Sequence, residues 1–104
     1  MASAPSTRLL TAVSAPVTSS VFSPRRKDVT GLFQAKLTGT TPTCVLKIQG
    51  RVDSNAPWHT IATITEADLV VDSAYKKVDL FPEMRVDLTA IGGTTPVLSA
   101  WASE

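Results

Sequence analysis

The sequence predicts an all-β protein: an antiparallel β-sandwich or jelly-roll-like barrel of about seven or eight short strands, led by an extended N-terminal arm. Three observations predict it. Apolar and polar residues alternate with a period of two along most of the chain after residue 28, the mark of strands with one buried face. No stretch sustains the period of about 3.6 that a helix needs. Clusters of Gly, Pro, Asn and Asp break the alternation every ~8–12 residues, the spacing of turns in all-β domains. The chain has 104 residues, enough for one domain that buries about two-thirds of its unfolded surface. It divides into an arm, residues 1–28, and a β-sandwich domain, residues 29–104.

The arm is rich in Ser, Thr and Ala, and residues 1–24 contain no acid. Pro5, Pro16 and Pro24 fix φ and remove backbone donors, so neither a long helix nor a central strand fits there. β-branched residues recur at 9–13 and 17–22, which leaves room for short β pieces. Read alone, the segment has the composition of a flexible tail, since ordering it costs entropy that only docking on its own body or on another chain offsets. Arg25, Arg26, Lys27 and Asp28 mark the junction, a solvated hinge or an electrostatic clip for an acidic surface.

In the body, Phe33, Ala35 and Leu37 alternate with Gln34 and Lys36, and residues 39–42 read as a turn. Cys44, Leu46, Ile48 and Val52 then alternate with Lys47, Gln49 and Arg51, which places Val52 on the buried face. Asp53, Asn55 and Pro57 make the next turn, because Asp and Asn side chains bond their own backbone. Residues 58–65 return as a strand in which Trp58, Ile61 and Ile64 break strict alternation, so a bulge is expected. After a turn at 66–68, strands at 69–71 and 77–80 flank a polar loop at 72–76. Following Pro82, Met84, Val86, Leu88 and Ala90 face one way, and Glu83, Arg85, Asp87 and Thr89 the other. Gly92-Gly93 suits the positive φ angles of a tight hairpin, and residues 97–101 complete it.

Composition narrows the chemistry. A net charge of +1 makes no strong field for nucleic acid or anionic lipid, and neither is expected as a partner. A single cysteine excludes an intrachain disulfide and a multi-cysteine zinc site. The uncharged stretch 9–23 is too short and too rich in Ser, Thr and Pro to span a membrane or serve as a signal peptide. No enzyme activity is expected. Cys44 sits on an apolar strand face, where a thiol is inert. Asp53, Ser54 and His59 lie within one turn, whereas catalytic triads converge from separate elements. Asp53, Asn55, Asp68 and Asp72 lack the ligand spacing of a calcium loop, and Gly92-Gly93 is no phosphate loop. No metal or cofactor is expected. Trp58 and Trp101 are read as caps on the core in preference to a sugar-stacking pair. Glu83, Arg85 and Asp87 share an exposed face, either a salt ladder in which Arg85 serves both acids beside Lys47 or Arg51, or a partner-binding face.

The segment VLKIQGRVDSNAPWHTIATIT, followed by VDLFPEMRVDLTAIGGTTPVLSAW, resembles small virion structural proteins of tailed bacteriophages. In these a strand ends in a Q-x-x-x-D stretch, and Trp opens the next strand after a polar turn. An R-V-x-L-T strand, a glycine turn and a last strand bearing an aromatic follow. Here those positions are Gln49, Asp53, Trp58, Pro82, Arg85, Val86, Leu88, Thr89, Gly92, Gly93 and Trp101, and the likeness covers about residues 43–102. It implies a capsid decoration or cement protein, or a head–tail accessory, with no catalytic residues. Its partner would be the major capsid protein or another virion protein. A homo-oligomer is expected, a trimer before a dimer, made in the host cytoplasm and carried on the capsid surface. The arm would supply partner-binding residues, Leu9, Leu10, Val13, Val17, Val21, Phe22, Arg25, Arg26 and Lys27, by adding a strand to a neighbouring subunit's sheet. The alternative is a carbohydrate-binding β-sandwich module or a head or tail accessory adhesin.

Overall fold

The computed structural model describes residues 6–24, 30–66 and 73–103. Among them there is no α-helix, and six strands form one antiparallel sheet: β1 (Ser6–Val13), β2 (Val17–Thr18), β3 (Thr30–Arg51), β4 (His59–Thr65), β5 (Ser73–Asp79) and β6 (Glu83–Ser103). The hydrogen-bonded order is β1-β6-β3-β4, with β2 also on β6 and β5 also on β3. The sheet is open, so the barrel form of the expectation is not what forms.

Two long strands replace several of the short ones expected. β3 and β6 pair from Leu32 opposite Ser103 to Arg51 opposite Glu83. The turn expected at 39–42 and the hairpin expected at Gly92-Gly93 are therefore bends inside continuous strands. A hairpin needs its two flanks to pair with each other; here both flanks of each bend pair with the other long strand.

The bends are built alike. Each is Gly-Thr-Thr-Pro: Gly39-Thr40-Thr41-Pro42 in β3 and Gly93-Thr94-Thr95-Pro96 in β6. Gly39 and Gly93 have φ of 135° and 104°, and Thr41 and Thr95 have φ of 46° and 48°. In both, the second threonine's hydroxyl donates to the carbonyl of the first at 2.8 Å. Thr40 lies opposite Thr94, so the two bends meet in the ladder. The β3 bend shifts the buried parity: Phe33, Ala35 and Leu37 are buried before it, and Cys44, Leu46 and Ile48 after it. In β6 a register shift moves from Ala90 opposite Val45 to Leu88 opposite Leu46, leaving Thr89 as the extra residue of a bulge.

Each half of the long pair has its own neighbours. β4 joins the second half of β3 from Val45 opposite Thr65 to Gly50 opposite His59, with the irregularity at Ile61. β5 joins the first half from Thr30 opposite Asp79 to Lys36 opposite Ser73. The polar loop expected at 72–76 is largely strand, because the pairing with β3 outweighs the polarity of an edge segment. Residues 69–71 lie outside the described part.

The described arm belongs to the same sheet. β1 lies along the second half of β6, from Ser6 opposite Ser103 to Val13 opposite Leu98. β2 and Phe22 lie along the first half, with Val17 opposite Leu88 and Phe22 bridged to Met84. Leu10 is buried in one hydrophobic cluster with Phe33, Leu46, Ile48, Ile64, Met84 and Leu98, against which Leu9, Val13 and Phe22 pack. Burying such side chains contributes about 1.5–3 kcal/mol each.

Candidate functional site

Cys44 is buried in the core, and its backbone N–H donates to Glu66 Oε2 at 3.3 Å. His59 is exposed at the start of β4, and Ser54 is exposed in the preceding turn. Asp53 does turn work: its carboxylate accepts from the Asn55 N–H at 2.8 Å and its carbonyl from the Ala56 N–H at 3.1 Å. Among the described residues no three His, Cys, Asp or Glu side chains gather into a metal-holding group; Asp68 and Asp72 lie outside them.

The tryptophans overturn the expectation that they cap the core. In β6 the inward positions are Leu98, Ala100 and Ala102, so Trp101 falls on the outward parity. It stands opposite both Arg8 and Gln34 in the ladder, with the Arg8 guanidinium carbon 5.2 Å from its ring centroid. Trp58, just before β4, is half-buried outside the core cluster. The guanidinium carbons of Arg51 and Arg85 lie over its ring at 4.2 and 4.3 Å. Such contacts contribute about 0.5–2 kcal/mol each, depending on desolvation.

The outward face of β6, β3 and β4 organises around this stack. Arg51 Nε pairs with Glu83 Oε1 at 2.6 Å. Arg85 does not serve both acids as expected; its Nε donates to Gln49 Oε1 at 2.8 Å. Gln49 Nε2 donates in turn to Thr60 Oγ1 at 3.3 Å. Asp87 stands opposite Lys47 and accepts from the Thr18 hydroxyl at 3.0 Å. Position 85 lies opposite Gln49, while Arg51 lies opposite Glu83, so the register gives the acid to Arg51 and the amide to Arg85. The sequence reading found these residues as one face but missed Trp58 as its centre.

Of the arm residues, Leu10 is buried and Leu9, Val13 and Phe22 pack on the core, all against the chain's own sheet. Val17 and Val21 are 39% and 47% exposed. Arg25, Arg26 and Lys27 lie outside the described residues. An open groove of about 500 Å³ is lined by Val52, Asp79, Leu80, Phe81 and Pro82. Val52 is 62% exposed at its rim. It follows the last residue of β3, so the alternation that assigned it to the core has already ended.

No described helix is long and apolar enough to cross a membrane. Comparison with protein-family models, with curated proteins and with solved structures finds no match.

Proposed function

We propose that this chain is a structural protein of a tailed-phage virion: a decoration or cement protein that binds the major capsid protein lattice and stabilises the head. The observation that carries the reading is that both tryptophans lie outside the core cluster, Trp101 on the outward parity of β6 and Trp58 just before β4, each stacked with arginine. Trp and Arg are the residues enriched at the energetic centres of protein interfaces, and a chain this small has few aromatics to divide between core and surface. The resemblance over residues 43–102 supports the virion setting.

In this reading the sheet folds at its two Gly-Thr-Thr-Pro bends into a sandwich, which accounts for one shared core beneath both halves of β3 and β6. The chain acts as a homo-oligomer on the capsid surface after synthesis in the host cytoplasm. Many weak, repeated contacts then give the lattice its grip. The test is co-sedimentation with phage heads lacking the chain. Saturable pelleting at a fixed ratio to the capsid protein is expected, and a chain left wholly in the supernatant overturns the reading.

Carbohydrate binding is the second reading, favoured by the outward, half-buried ring of Trp101. The guanidiniums over Trp58 weigh against that ring as a sugar platform. A glycan panel that quenches tryptophan fluorescence saturably would move the function to adhesion.

A further inference from the structure

The cluster around Trp58 has more hydrogen-bonding capacity than the chain itself uses. Both arginine Nε donors are engaged, Arg51 by Glu83 and Arg85 by Gln49. Each guanidinium is therefore tethered at one nitrogen and packed on the same indole. Among the described residues, no protein acceptor meets the Nη groups of either arginine or the indole N–H of Trp58. The guanidinium carbons lie 4.2 and 4.3 Å from one ring centroid, and no side-chain nitrogen here is buried without a partner, so the remaining N–H groups are accessible to a ligand.

The charge balance indicates the kind of ligand that suits this face. Glu83, at 2.6 Å, offsets Arg51, and Asp87 stands opposite Lys47. Arg85 faces a neutral amide, which leaves the cluster one uncompensated positive charge. A carboxylate matches that charge and takes the paired donors of a guanidinium in a planar fork. Polyanion binding, by contrast, draws on a field of many cations, which this face lacks. Because the arginines are already held, little side-chain freedom remains to be lost on binding.

We propose that Arg85, with Arg51 and Trp58, forms a clip for a carboxylate side chain, Glu or Asp, on the surface of a partner protein. This rests on the reading that the chain docks to other proteins through its outward faces, and it names the chemistry of one contact.

The test uses the full chain carrying Trp101→Phe, so that fluorescence reports Trp58 alone, titrated with an end-blocked hexaglutamate peptide. A saturable change is expected, weakened at least tenfold by Arg85→Gln and unaffected by Arg8→Gln. Arg85→Lys keeps the charge but loses the fork; it too is expected to weaken binding, and it serves if the Gln variant does not fold. No saturable change overturns the proposal, as does equal binding by the Arg85 variants. Arg85-dependent binding of a single-stranded oligonucleotide in place of the peptide also overturns it, in favour of a phosphate ligand. Co-sedimentation of the same variants with heads separates the two claims. If Arg85→Gln pellets like the parent, the clip fails while the docking reading stands. If the peptide binds through Arg85 but no chain pellets, the docking reading fails while the clip stands.

Discussion

Thr41 and Thr95 hold left-handed backbone angles that β-branched residues rarely adopt, at a cost of about 1–2 kcal/mol each. Asn tolerates that region better. Thr41→Asn and Thr95→Asn should each raise stability by about 0.5–1 kcal/mol, read as a higher urea midpoint. Gly93→Ala should do the opposite. Its Cβ would lie 2.7 Å from the Thr41 carbonyl oxygen and 2.8 Å from Pro42 Cα, and the variant should lose about 2–3 kcal/mol. Ser19 is the other telling position: its N–H donates to Val86 O, and its hydroxyl accepts from the Val86 N–H at 3.0 Å. Ser19→Ala leaves that buried N–H without a partner and should cost about 1–3 kcal/mol by the same measurement. The outward placement of Trp101 was legible at this scale, since it alternates with Leu98, Ala100 and Ala102. The general preference of Trp for small cores points the other way, and the parity of the strand prevails. Trp58 precedes its strand, so no alternation could place it.

At the scale of elements, the arm does two jobs for one sheet. It buries Leu10 and lays backbone along the edge of β6, which would otherwise present unpaired donors and acceptors over much of a 21-residue strand. Leu10→Ala should cost about 2–4 kcal/mol and make the arm the first site of limited proteolysis. Removing residues 6–24 should yield a chain that aggregates beyond the parent's oligomeric state, seen by light scattering; an unchanged number of protomers per particle would show that the arm is dispensable to the edge. The β segment at 9–13 was legible from its β-branched residues, whereas 17–22 is strand only at Val17–Thr18, with a single bridge at Phe22. The host edge was not legible, because strand pairing is a non-local choice that alternation does not encode. The long strands were hidden for a related reason. Gly-Thr-Thr-Pro supplies the residues of a reversing turn, and only the pairing of both flanks with a third segment makes it a bend.

For the whole molecule, the all-β class and the buried alternation of β3 and β6 followed from period and turn spacing, since both report one-sided burial directly. The outward polar face was less legible, because it is made by register: Gln49 meets Arg85 and Arg51 meets Glu83 only once β3 and β6 are aligned. Cys44 lies in the core and Asp53 holds its turn, while the arginine–tryptophan stacks lie outside the core cluster. The most direct test of binding to the capsid lattice is a cryo-electron microscopy reconstruction of phage heads with and without the purified chain. The account predicts added density at symmetry-related positions on the capsid lattice, with an arginine–tryptophan face against the shell. Heads that remain unchanged at saturating chain would contradict it.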